Sequence, residues 1–77
     1  MPEAANKVSE LIEGYETPFG MELLSTVHWV AAHDDHARRS PDEAVRGVHA
    51  WNDRKATTMR PEQIRAAWGH LRETGWI

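Results

Sequence analysis

The chain has 77 residues, of which 40% are hydrophobic, and it contains four tryptophans and no cysteine. That length suits one small domain, the apolar content is too high for a disordered tail, and disulfides and thiolate metal sites are excluded. No apolar run reaches the ~20 residues of a membrane span, so we expect one domain over residues 1–77, cytoplasmic and without a membrane partner.

The net charge of −3 is unevenly distributed along the chain. Residues 1–35 carry seven acids and one lysine, for a net charge of −6, whereas residues 36–77 carry five acids and eight bases, for a net charge of +3. An acidic chain is an unusual nucleic-acid binder, because such binding depends on neutralising phosphates. An acidic N-terminal face that meets a basic partner fits this distribution better, and a solvated surface of mixed charge is the plainer interpretation.

Apolar residues recur at helical spacing in four segments, of which two lie in the first half. The first runs from about Ala4 to Glu13 and is followed by Gly14, a residue typical of the position after a helix. The second begins at Thr17-Pro18, a capping threonine before a proline at the first helical position, and frays near residues 33–35. Its inward stripe comprises Phe19, Leu23, Val27, Val30 and Ala31, widened by Leu24 and Trp29.

The third and fourth segments lie in the second half. Residues 40–43, Ser-Pro-Asp-Glu, are arranged as a capping box and begin a helix that ends near residues 52–53. Residues 54–60 are predicted to be a basic loop, and Pro61 opens the last helix, which stops at Gly75 with Trp76 folding back on Leu71. The inward faces are Ala44, Val45, Val48 and Trp51 in the third helix, and Ile64, Ala67, Trp68 and Leu71 in the fourth.

These segments predict an all-α fold, a small bundle of three to four helices or a helix-turn-helix-like arrangement. Trp29, Trp51, Trp68 and Trp76 are expected to supply much of the core. A tryptophan that faces solvent instead would be the first candidate for a partner contact, and we assign that role to Trp29.

The cluster His-Asp-Asp-His at residues 33–36 has the density of a metal site, so a metal-dependent enzyme fragment is one hypothesis. A polar helix end explains the cluster equally well, since no third ligand follows at a characteristic spacing. His28, His49 and His70 have no adjacent serine or acid that would mark a catalytic triad, so structural or surface roles are expected for them. We therefore predict no enzyme, no catalytic residue, no metal and no cofactor.

Residues 15–30, YETPFGMELLSTVHWV, resemble the C-terminal domain of DarG-type macro-domain antitoxins, and so do residues 50–55, 64–68 and 75–77. The resemblance covers roughly residues 8–77. In that family a macro domain removes ADP-ribose from DNA bases, which reverses a DarT toxin that modifies thymidine in single-stranded DNA. The C-terminal domain binds the toxin and blocks its DNA-binding surface. No macro domain is present here, so the resemblance implies the toxin-binding role alone, in the C-terminal part of a longer macro-domain protein or in a shortened relative.

A toxin that binds single-stranded DNA needs a positively charged groove, and carboxylates that mimic phosphates would block it. The predicted partner-binding residues are therefore Glu10, Glu13, Glu16, Glu22 and Trp29. The alternative hypothesis is a helix-turn-helix module that binds DNA directly. Its basic residues would be Arg54, Lys55, Arg60, Arg65 and Arg72.

Overall fold

The computed structural model describes residues 14–77, which form five α-helices and no strand. The helices are α1 (Pro18–His33), α2 (Asp35–Arg39), α3 (Pro41–Trp51), α4 (Asp53–Thr58) and α5 (Pro61–Glu73). Each of the three long helices, α1, α3 and α5, contacts the other two. This arrangement confirms the predicted small all-α bundle. The helix predicted for residues 4–13 lies outside the described residues, and no helix in residues 14–77 has the length and apolar character to cross a membrane.

The long helices α1 and α3 begin at the predicted capping residues. The Thr17 hydroxyl accepts a hydrogen bond from the Gly20 backbone N–H at 2.9 Å, and the Ser40 hydroxyl accepts one from the Glu43 N–H at 3.5 Å. These bonds satisfy N–H groups that have no partner inside the first helical turn. A proline then occupies the first helical position, where a missing N–H costs nothing.

Helix α5 ends as the sequence predicts. Gly75 has a φ of +83°, a left-handed conformation that favours glycine. The Trp76 N–H donates to the Leu71 carbonyl at 2.8 Å, and the Gly75 N–H donates to the Arg72 carbonyl at 3.2 Å. This pair of bonds is the Schellman motif, and it folds the last residues back onto the helix.

Two short helices correct the sequence prediction. The expected loop at residues 54–60 is wrong over most of its length, because the Asn52 side chain accepts a bond from the Lys55 N–H at 2.8 Å and caps α4. Helix α1 ends at His33, within the range predicted for its end, but a second helix follows at once where none was predicted. The Asp34 carboxylate accepts a bond from the His36 N–H at 2.9 Å and starts α2. Each polar residue that marked a helix end in the sequence also caps the next helix.

The core lies between α1, α3 and α5 and is closed by one residue from each of two connecting segments. Ala37 of α2 and Met59, which follows α4, are both fully buried. Met59 lay in the segment predicted to be a loop and was absent from the predicted stripes. The buried apolar cluster comprises Leu23, Leu24, Val27, Val30, Ala37, Ala44, Val48, Met59, Ile64, Ala67 and Leu71.

Three aromatic residues that were predicted to face inward are exposed instead. Trp29 is 51% exposed, Trp51 is 43% exposed and Phe19 is 38% exposed, so the expectation that they supply core is wrong. Helix α1 turns the faces of Val27 and Val30 inward, and Trp29 therefore lies on the flank of its helix. Trp68 and Trp76 are half-buried and pack against the core, as predicted.

Candidate partner-binding site

The two exposed tryptophans lie side by side on one surface. Trp29 of α1 and Trp51 of α3 have ring centroids 4.9 Å apart and planes tilted by 46°. They wall a groove of about 370 Å³ whose floor is formed by Val30, Gly47 and Ala50, and we name it the Trp29–Trp51 groove. Its lining side chains carry no formal charge, so the groove is suited to an apolar group.

Gly47 sets the close approach of the two helices beneath the groove. A Cβ atom at this position would lie 2.5 Å from Cγ1 of Val30, closer than carbon atoms can pack. The missing side chain therefore lets α3 rest directly on α1. This approach brings Trp51 of α3 within reach of Trp29.

Each indole of the groove is in contact with a second ring or with a cation. The His33 ring stacks on Trp29 with centroids 4.1 Å apart and planes within 17°, and its Nδ1 donates to the Trp29 carbonyl at 2.9 Å. The Lys55 ammonium lies 4.8 Å from the Trp51 ring centroid, a cation–π distance. The orientation of both indoles is thus supported by contacts within the fold.

Lys55 is itself held by a polar cluster on α1. Its ammonium donates to the Glu22 carboxylate at 2.9 Å and to the Thr26 hydroxyl at 3.1 Å, and the residue is only 8% exposed. Arg54 donates to both carboxylate oxygens of Glu22, at 2.7 and 3.0 Å. The hydrogen bonds from Arg54 and then Lys55 lower the pKa of Glu22 to about 2. This carboxylate therefore stays ionised throughout the neutral and mildly acidic range.

The predicted acidic residues have different environments. Glu10 and Glu13 lie outside the described residues. Glu16 is exposed just before α1, where its carboxylate accepts a bond from the Gly14 N–H at 3.0 Å. Glu22 is engaged with Arg54 and Lys55, so its charge is largely compensated within the fold.

The basic residues of the alternative DNA-binding hypothesis are mostly engaged in the same way. Arg54 and Lys55 are bound to Glu22, and Arg65 is bound to Asp42 at 2.9 Å. A DNA-binding surface requires cations available to phosphates. The cations before and along α5 thus offer less free charge than their number in the sequence indicates.

The histidines have structural neighbours. The His49 Nε2–H donates to the Met59 carbonyl at 2.8 Å, His70 stacks on Tyr15 with centroids 5.1 Å apart, and His28 lies edge-on to Trp76. Within residues 14–77, no group of three or more His, Cys, Asp or Glu side chains is placed to hold a metal ion.

Sequence reasoning missed the polar cluster and half of the aromatic surface. Glu22 and Lys55 are 33 positions apart, and no local pattern links them. The helical spacing predicts Trp51 on the inward stripe with Ala44 and Val48, whereas the residue is exposed. The one available signal was Asn52, whose capping role would have predicted α4 and brought Lys55 onto a helix.

Comparison with known proteins identifies related sequences. A DNA ADP-ribosyl glycohydrolase from Thermus aquaticus is 44% identical over 55 residues, which cover 71% of this chain and 15% of that protein. Proteins of the same name from Mycobacterium bovis and Mycobacterium tuberculosis are 36% identical over 64 residues, which cover 83% of this chain and 18% of each.

The chain thus spans less than a fifth of the length of these curated relatives. No protein-family model matches the chain, and no solved structure matches it significantly. The identity over most of the chain confirms the resemblance that residues 15–30 indicate. This chain is, over most of its length, a homologue of a short part of the DarG-type DNA ADP-ribosyl glycohydrolases.

Proposed function

We propose that this chain is a protein-interaction domain that binds and inhibits a DNA-modifying ADP-ribosyltransferase toxin of the DarT type. The observation that carries the proposal is the exposed pair Trp29 and Trp51 on a chain homologous to DNA ADP-ribosyl glycohydrolases. Tryptophan is enriched among the residues that dominate binding energy at protein interfaces. Two large indoles left beside each other in water, on a domain this small, are typical of such an interface.

The charge distribution supports a basic partner. Residues 1–35 carry a net charge of −6, and Glu16 among them is exposed. A toxin that binds single-stranded DNA presents cations to phosphates, and carboxylates would compete for the same cations. The proposal therefore includes a DNA-mimicking role for the acids of this half. Glu22 contributes through the fold, since Arg54 and Lys55 already bind it.

We propose that the chain acts by binding and not by catalysis. Its relatives are named as glycohydrolases, but the matched segment is 15–18% of their length. We assign the hydrolytic activity of those proteins to residues outside that segment. The proposed toxin acts on DNA, so the encounter belongs to the cytoplasm.

One experiment separates inhibition from hydrolysis. Purified toxin is incubated with thymidine-containing single-stranded DNA and increasing amounts of the chain, and ADP-ribosylated DNA is quantified. We expect modification to cease near one equivalent of chain per toxin. In the matched control, the chain is added to DNA that is already modified, and the ADP-ribose should remain attached. Undiminished toxin activity at excess chain would contradict the proposal, and so would loss of ADP-ribose in the control.

A further inference from the structure

We infer that the Trp29–Trp51 groove receives an apolar side chain that protrudes from a basic surface of the partner protein. This inference rests on the proposed function and names the chemistry of the partner surface at this site. Three features of the groove lead to it: the shape and polarity of its floor, the support of its walls and the unpaired charge around its rim.

The groove is suited to apolar atoms and is too small for an extended chain. The volume of the groove, about 370 Å³, lies near the lower end of the roughly 300–1,000 Å³ that is typical of small-ligand pockets. Val30, Gly47 and Ala50 offer no side-chain hydrogen-bond group. A polar group placed on the floor would lose water without gaining a partner from these three side chains, whereas a hydrocarbon side chain would lose only unfavourable hydration.

The walls are ordered before any partner arrives. His33 stacks on Trp29, and Lys55 lies against Trp51 while its ammonium is held by Glu22 and Thr26. Side chains that are already fixed lose little conformational freedom on binding, which leaves more of the contact energy as affinity. Exposed indoles with such support are suited to an anchoring role.

The net unpaired charge of the residues near the groove is negative. Arg54 and Lys55 share the single carboxylate of Glu22, which leaves one positive charge, and Arg46 lies 3.5 Å from Glu43. By contrast, the carboxylates within two positions of His33 or Trp51 form no ion pair with any residue of 14–77; they are Asp34, Asp35 and Asp53. These three carboxylates outweigh the one remaining cation, and we call them the acidic rim because they lie next to His33 and Trp51 in the sequence. An apolar groove with acidic neighbours complements an apolar side chain among basic residues. A DNA-binding toxin carries such a basic surface.

The test is a calorimetric titration of the purified toxin with the chain and its variants. Trp29→Ala and Trp51→Ala should each weaken binding by about 30-fold, the threshold of an interface hot spot. Ala50→Phe fills the groove without removing any packing and should weaken binding by about tenfold or more. The matched control is Phe19→Ala, which removes a comparably exposed ring outside the groove and should change binding less than about threefold.

The acidic rim is tested with the double variant Asp35→Asn, Asp53→Asn. Binding should weaken several-fold at low salt, and the difference from the wild-type chain should disappear at about 1 M salt, where exposed charges are screened within ~3 Å. Circular dichroism of each variant verifies folding. An unchanged affinity at low salt would overturn the basic character assigned to the partner surface.

The outcomes distinguish this inference from the function on which it rests. If the wild-type chain fails to bind the toxin, the proposed function is wrong and the inference is overturned with it. If the wild-type chain binds and the two Trp variants and Ala50→Phe bind equally well, only the groove assignment is overturned. A dimer of the chain that Trp29→Ala disrupts would assign the groove to a second copy. Capture of single-stranded DNA by the free chain, lost in both Trp variants, would assign it to nucleobases.

Discussion

The Lys55 ammonium lies 2.9 Å from the Glu22 carboxylate and joins α4 to α1 across 33 positions of sequence. Arg54 binds the same carboxylate through both of its oxygens, so one acid fastens two consecutive residues of α4. The Lys55 ammonium also lies 4.8 Å from the Trp51 ring centroid. One glutamate thus contributes both to the position of α4 and to the orientation of an exposed indole.

The first prediction concerns the pH dependence of Glu22. Its pKa is held at about 2 in the folded chain, against the model-compound value of 4.5 for an unfolded chain. A carboxyl group whose pKa is lower in the folded chain stabilises the fold at pH values above its pKa in the unfolded chain. This stabilisation is lost as the pH falls toward its pKa in the folded chain. Glu22→Gln should therefore lower the urea midpoint near neutral pH, and its difference from the wild type should shrink between about pH 4.5 and pH 2.

The control for this prediction is Glu62→Gln, which removes an exposed carboxylate from the first turn of α5. Its effect on the midpoint should be small at every pH. A difference between wild type and Glu22→Gln that stays constant from neutral to acidic pH would mean that the carboxylate gains nothing from Arg54 and Lys55.

The second prediction compares two glycines inside helices. A methyl group at Gly47 would meet Val30 at 2.5 Å, and Val30 is buried and stiff at its branched Cβ. Overpacking of this kind costs about 1 to 3 kcal/mol, which offsets or exceeds the gain of about 1 kcal/mol in helix propensity. Gly47→Ala should therefore fail to stabilise the fold.

The comparison variant is Gly69→Ala, which has open space around the new methyl group and should stabilise the fold by about 0.5 to 1 kcal/mol. Denaturation midpoints that rise equally for both variants would refute the close approach of α1 and α3.

The third prediction separates two tryptophans by their burial. Trp68 packs against the core and its indole N–H donates to the Ala37 carbonyl at 2.8 Å, whereas Trp51 is 43% exposed. Trp68→Ala should cost about 3 to 5 kcal/mol, which is most of the stability of a domain this size. Trp51→Ala should cost about 1 to 2 kcal/mol and leave a folded chain, because less area returns to water. Thermal melts followed by circular dichroism rank the two variants by their loss of stability. A larger loss in Trp51→Ala than in Trp68→Ala would contradict the burial described above.

The fourth prediction concerns the helix caps. Thr17→Ala and Ser40→Ala should each cost about 1 kcal/mol. The larger loss is expected at Thr17, whose hydroxyl lies 2.9 Å from its N–H partner against 3.5 Å at Ser40. Thr57→Ala is the control, since that hydroxyl only bonds the Asp53 carbonyl within α4 and alanine is the better helix former. A midpoint for Thr17→Ala equal to that of the wild type would place the start of α1 elsewhere.

Local signals in the sequence predicted most of the bundle. The capping residues and prolines placed the starts of α1, α3 and α5, and Gly75 placed the end of α5. These features succeed because they act over one or two helical turns. The same local reasoning misses α2 and α4, since it predicts helix ends near Asp34 and Asn52 but not that these residues cap the next helix.

The candidate site was less accessible to sequence reasoning. The helical period correctly placed Val48 in the core but placed Trp51 with it, although α3 ends at Trp51. Which residues of a stripe are buried depends on how far the neighbouring helices extend, and this is a tertiary property. The binding of Lys55 to Glu22 is tertiary in the same sense.

Competition with DNA tests the proposal that the chain occupies the DNA-binding surface of a toxin. A fluorescently labelled single-stranded DNA is bound to the toxin, and its anisotropy is followed as the chain is added. We expect full displacement of the DNA, with an inhibition constant equal to the Kd of the chain for the toxin. Both constants should rise together in Trp29→Ala. A ternary complex, in which the chain binds the toxin while the DNA anisotropy stays high, would contradict the proposal.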